Sequence, residues 1–90
     1  MSDASGPRGL EFPCRFPVKA MGEAGQAFED AVLAIVRRHA GPVPPADVTR
    51  RASRKGRYVS LTVEITATSR RQLDDLYREL SSHERVAVVL

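Results

Sequence analysis

The chain has no tryptophan, one cysteine and only five aromatic residues in 90, and each shortage excludes something. With so few aromatics, a core must be assembled mainly from Val, Leu, Ile and Ala. The lone Cys14 excludes an internal disulfide framework and fits a reducing compartment. No apolar run approaches the ~18 residues that would span a bilayer. The opening residues, Met1 to Gly6, lack the charged-then-apolar pattern of a secretory signal. Together these features point to a cytoplasmic protein.

Charge of one sign is also scarce. The formal net charge is only +3, and it is unevenly placed. Up to Ala46 there are five basic and five acidic residues; from Asp47 onward there are nine and six. Arg50, Arg51, Arg54, Lys55 and Arg57 form one stretch without an acid. That is a local basic patch on an otherwise balanced chain.

What is present fits one small domain with a thin core between two layers. Residues 1–9 are small, polar and Gly/Pro-containing, so a flexible tail is expected there, with a single domain over 10–90. Pro13 and Pro17 disfavour a central ladder, which places the start of regular pairing at or just after Pro17. The segment Phe16 to Met21 alternates as a first strand, with Phe16, Val18 and Ala20 on one face and Lys19 and Met21 on the other. Gly22 is expected to end it. Glu23 to Ala40 predicts a helix, because Phe28, Ala31, Val32, Ile35, Val36 and His39 make one apolar stripe. Acids lie early in it and Arg37, Arg38 and His39 lie late, which complements the helix dipole. Gly41-Pro42 stops it.

Asp47 to Ala52 reads as an arginine-rich edge strand. Ser53-Arg54-Lys55-Gly56 reads as a turn, with Gly56 free to take positive φ. Arg57 to Ala67 alternates strictly: Val59, Leu61, Val63, Ile65 and Ala67 on one face, Tyr58, Ser60, Thr62, Glu64 and Thr66 on the other. A sheet with one buried and one wet face follows. Ser69 to Gln72 has a capping-box pattern opening a second helix, whose stripe is Leu73, Leu76, Tyr77 and Leu80. Ser81 to Glu84 breaks it, and Arg85 to Leu90 is a β-branched final strand. The order β-α-β-β-α-β predicts an α+β, ferredoxin-like sandwich. Its four-stranded antiparallel sheet has order 4-1-3-2, with both helices on one face and the other face bare.

Several of these segments resemble one family. Phe12-Pro13, Lys19-Ala20-Met21-Gly22, Ser53-Arg54-Lys55-Gly56-Arg57-Tyr58 running into Ser60-Leu61-Thr62-Val63, and the closing Val86 to Leu90 look like the YbeD family of small bacterial proteins. The resemblance runs from about Leu10 to Leu90, and the Ser-x-x-Gly-x-Tyr turn-and-strand is its most specific part. It implies a ferredoxin-like fold similar to the ACT-like regulatory domains of metabolic enzymes. It also implies a regulatory role near lipoate metabolism, as proposed for some members. It brings no catalytic residues. The long Gly/Ser/Pro tail and the arginine-dense second strand depart from the family pattern.

Candidate chemistry is sparse. Cys14, His39 and His83 fall on three different elements without paired ligand spacing, so neither a metal site nor a cofactor is expected. Cys14 stands beside Arg15, which favours a thiolate, but no base is near it in sequence; a small half-buried thiol is the simpler reading. Glu29-Asp30 and Asp74-Asp75 are adjacent on helices, so each pair diverges by about 100° and reads as solvated surface. Glu64 lies on the bare face. No enzyme is expected.

Binding is the better reading. The bare face carries Lys19, Met21, Tyr58, Ser60, Thr62 and Glu64, a flat mixed surface suited to a protein partner or a second copy. Arg54, Lys55 and Arg57 flank it in the basic turn. Gly22 and Gly25, between first strand and first helix, would let a small metabolite approach backbone N–H groups, although Glu23 would repel an anion. Single-stranded nucleic acid is the alternative, because Lys55-Gly56 preceding an aromatic begins like an RNA-recognition signature. That pattern then fails: Arg57 occupies the first aromatic position and only Tyr58 reaches the open face. One base stack contributes about 1–3 kcal/mol, which is too little alone.

Overall fold

The computed structural model of the protein describes residues 10–90; the expected tail, 1–9, lies outside the described residues. The elements are β1 (Cys14–Glu23), α1 (Gln26–Ala40), β2 (Val48–Ala52), β3 (Tyr58–Ala67), α2 (Arg70–Ser82) and β4 (Val88–Val89). A short 3-10 turn at Pro45–Asp47 leads into β2. The sheet runs β2-β3-β1-β4, and every neighbouring pair is antiparallel. This is the ferredoxin-like arrangement and strand order that the sequence predicts.

The core lies between the helices and one sheet face. Val18 and Ala20 of β1, and Val59, Leu61, Val63, Ile65 and Ala67 of β3, are buried against Phe28, Val32, Ile35 and Val36 of α1 and Leu73, Leu76 and Leu80 of α2. Period two on the strands and period 3.6 on the helices therefore converge on one apolar layer. Phe16 adds an edge-on contact with Tyr77, ring centres 6.4 Å apart.

Three boundaries differ from the sequence expectation, each for a local reason. Strand β1 begins at Cys14 rather than at Pro17, and Pro17 sits within it opposite Glu64. Lys19 and Met21 direct their carbonyls toward β4, accepting from the Leu90 and Ala87 N–H groups. By alternation Pro17 faces the same side, where no strand among the described residues reaches it, so its missing N–H costs no ladder bond there. At its other end β1 continues past Gly22 to Glu23, paired with Tyr58. The Ala24 N–H then bonds to the Arg57 carbonyl, and Gly25 (φ 150°) turns the chain, which delays α1 to Gln26. Finally, β4 covers only Val88 and Val89. The preceding backbone is taken by a turn, in which Val86 N–H bonds to the His83 carbonyl.

Candidate docking surface

Both helices pack on one face of the sheet, so the other face has no covering layer among the described residues. Register fixes what it presents. Val88 of β4 lies opposite Met21 of β1, Met21 opposite Ser60 of β3, and Ser60 opposite Arg51 of β2. One row of side chains thus crosses all four strands. In the next row Lys19 faces Thr62, and Thr62 faces Thr49; elsewhere Glu23 faces Tyr58 and Pro17 faces Glu64. Opposed residues project to the same side of a sheet, so all six residues expected on the bare face are gathered there.

The face is not uniformly polar. Tyr58 and Val88 are large apolar groups exposed at 41% and 44%, and Met21 between their strands is half-buried. A cleft of about 160 Å³ with nearly apolar walls opens beside Met21, Arg51, Tyr58 and Ser60. At the far end, Arg15 donates to Thr66 (3.2 Å) and pairs with Asp47 (3.0 Å), which balances its charge.

Sequence reading missed Thr49, Arg51 and Val88 as members of this face. Alternation could assign them to a face of their own strands, but β2 carries no apolar periodicity to say which face is which. Only the register against β3 and β1 settles it.

The basic turn separates into two parts. Arg50 points to the helix side, where it makes a two-pronged bond to Glu29, at 2.9 and 3.0 Å. Glu29 therefore ties α1 to β2 rather than standing as plain solvated surface, and its hydrogen bond and charge raise the Arg50 guanidinium above its usual value. Arg51, Arg54, Lys55 and Arg57 are exposed and meet no carboxylate among the described residues. The turn itself is closed by Gly56 N–H to the Ser53 carbonyl (2.9 Å), with Gly56 at φ 75°.

The glycine loop has a different character from the one its composition suggests. Gly22 is buried, and a Cβ on it would meet the Arg85 carbonyl and lie 2.6 Å from the Phe28 ring. Its close approach is made to the protein's own chain. Gly25 is exposed and precedes α1 without a side-chain cap. Beside this loop, a second cleft of about 430 Å³ is lined by Glu23, Phe28, Tyr58, Glu84, Arg85 and Ala87. Two carboxylates and one guanidinium share its rim.

The soft ligands stay apart. Cys14 opens β1 and packs half-buried at the core margin. His39 shares a 2.7 Å hydrogen bond with Glu79, and His83 accepts from the Arg85 N–H at 3.1 Å. No group of three His, Cys, Asp or Glu side chains placed to hold a metal occurs among the described residues. Arg38 also bonds to Glu79. The Arg38 hydrogen bond first, and the His39 hydrogen bond second, hold the Glu79 carboxyl below its ordinary value of 4.5. This cluster joins α1 to α2 on the side away from the open face. Asp74 and Asp75 pair with Arg70, Arg71 and Arg78 along α2. No helix among the described residues is long and apolar enough to cross a membrane.

Comparison with known proteins agrees with this architecture. A family model described as "Protein of unknown function (DUF493)" matches residues 8–90. A UPF0250 protein of Chromobacterium violaceum is 49% identical over 81 residues, covering 90% of this chain and 91% of its own length. Those of Neisseria gonorrhoeae (strain FA 1090) and Nitrosomonas europaea are 48% and 46% identical, each over 90% of this chain and over 89% and 93% of their own. The solution structure of protein HP0495 from H. pylori is similar in fold, with a TM-score of 0.64 at 13% identity, over all of this chain and 94% of that one. None of these descriptions names a ligand, a pathway or a reaction, so neither the lipoate connection nor nucleic-acid binding gains support from them.

Proposed function

Because this chain belongs to the DUF493 (UPF0250) family of small bacterial proteins, we propose on its own geometry that it is a non-catalytic regulatory or adaptor domain that docks a protein on the open face of its sheet. The observation carrying this reading is the row Val88, Met21, Ser60 and Arg51. It spans four strands on a face that no helix covers among the described residues, from exposed Val88 through half-buried Met21 to an apolar cleft that Tyr58 and Arg51 also line. Exposed apolar groups rimmed by charge are characteristic of surfaces that meet another protein. The test is comparative capture from cells of origin. Tyr58→Ala combined with Thr62→Arg should abolish retention of the partner while circular dichroism and the melting temperature stay unchanged. Undiminished capture would place docking elsewhere, and a shift from dimer to monomer on sedimentation would identify the partner as a second copy.

Binding of a small metabolite is the second reading, favoured by the 430 Å³ cleft beside the glycine loop. Glu23 and Glu84 on its rim disfavour a simple anion, and Arg85 would orient a ligand carrying both charges. A ligand taken there would raise the melting temperature with its concentration by mass action. A flat response across amino acids and lipoate-type carboxylates would count against it.

A further inference from the structure

One end of the sheet gathers several exposed cations beside an apolar cleft. There β1 ends at Glu23, β3 begins at Tyr58 and β2 ends at Ala52, with the basic turn joining the last two. Most described arginines elsewhere are neutralised: Arg15, Arg38, Arg50, Arg70, Arg71 and Arg78 each meet a carboxylate, while Arg37 and Arg85 stand singly. Arg51, Arg54, Lys55 and Arg57 do not, among the described residues, although they lie within seven positions of one another. Clustered like charges repel one another. Protection of an edge strand needs a charge or two, and Arg50 and Arg51 already stand on β2 itself. Arg54, Lys55 and Arg57 lie on the turn beyond that strand, where edge protection does not account for them.

The apolar cleft adjoins them. Arg51 and Tyr58 both line it, together with Met21. Its volume of about 160 Å³ is close to the roughly 150 Å³ at which an apolar cavity takes a benzene-sized group. Guanidinium groups bind carboxylates in a two-pronged geometry, so cations and cleft together select acid flanking one apolar group.

Resting on the docking reading above, we infer that this end of the open face binds an acidic linear segment of the partner protein. One aliphatic or aromatic side chain sits in the cleft between Met21 and Tyr58, and flanking Asp or Glu residues pair with Arg51, Arg54 and Lys55. A second copy of this chain fits less well, because most acids on its helices (Glu29, Asp74, Asp75 and Glu79) are already paired with arginines. A phosphodiester strand also fits less well, because Tyr58 is the one aromatic on the face and a single base stack gives too little affinity.

The experiment is selection of random twelve-residue peptides displayed on phage against the full chain, followed by anisotropy titration of the enriched sequence. Enriched peptides should carry at least two acids next to one apolar residue. Arg54→Glu with Lys55→Glu should weaken the selected peptide by about tenfold or more, as should raising salt well above physiological. Arg37→Glu, at a distant exposed cation, should leave affinity unchanged. Replacing the peptide's apolar residue with serine should cost a comparable factor. Basic or uncharged enriched peptides whose binding is lost on Thr62→Arg would overturn this inference while leaving the docking reading intact. No enrichment of any peptide would overturn this inference, while the capture experiment above decides the docking reading. Competition by a twelve-nucleotide single-stranded RNA at lower concentration than the peptide would replace the peptide with nucleic acid.

Discussion

Gly22 shows how a single residue can be read two ways from composition and one way from packing. A glycine at a strand end invites the thought of a ligand pressed against backbone. Here the space is filled by Phe28 and the Arg85 carbonyl. Its backbone is not in the left-handed region, so the requirement is one of volume. Gly22→Ala must push the Phe28 ring or the segment before β4, and overpacking of this kind costs about 1–3 kcal/mol. Urea unfolding should show a lower midpoint at unchanged slope. A midpoint equal to wild type would mean that the ring yields freely. Tyr58 is the opposite case: its exposure predicts that Tyr58→Ala is nearly neutral for stability, so any binding loss can be assigned to the surface.

Elements are held by contacts of distinct chemistry. Helix α2 is capped by Ser69, whose Oγ accepts from the Gln72 N–H at 3.0 Å. Gln72 reaches back to the Thr68 N–H (2.7 Å) and also donates to the His39 carbonyl at the end of α1 (2.9 Å). The capping box that the sequence predicts is thus present, with the return bond made one residue earlier and a second bond linking the helices. Ser69→Ala should cost about 1 kcal/mol, read by thermal or urea unfolding. The cluster of Arg38, His39 and Glu79 links the same helices. Because the Glu79 carboxyl titrates lower in the folded chain than its ordinary 4.5, its contribution is complete above that value and is lost as pH falls through the folded one. Wild type should therefore exceed Glu79→Gln in stability near neutrality, with the gap closing in acid. A gap that widened on acidification would contradict the pairing.

Element order, the sheet's buried face and both helix stripes were legible in the sequence, because β3 alternates without a break from Tyr58 to Ala67 and α2 announces its start with Ser69 and Gln72. The start of β1 was not legible. Pro17 looks incompatible with a central strand until the shortness of β4 shows that its nitrogen lies beyond that strand's reach. The open face was legible only on β1 and β3. Arg50 and Arg51 are neighbours of identical chemistry, yet one closes a bridge to Glu29 behind the sheet and the other stands on the face, a difference set by register with β3 alone.

At the scale of the whole molecule, two helices cover one sheet face and leave the other without a covering layer among the described residues. Apolar groups on that face run from Val88 to Tyr58, and four exposed cations without an ion pair among those residues, Arg51, Arg54, Lys55 and Arg57, crowd one corner. Docking there should be salt-sensitive at the corner and less so in the middle of the sheet, because exposed charges are screened within about 10 Å at 0.1 M salt while apolar burial is not. The most direct test is site-specific photocrosslinking in living cells. A benzophenone side chain is placed at Thr49 or Val88, on opposite rims of the open face, and at Asp74 on the solvent side of α2. Discrete protein adducts from Thr49 and Val88, and none from Asp74, are the expected result. Adducts from Asp74 alone, or from no position, would contradict the claim that this sheet face is the working surface.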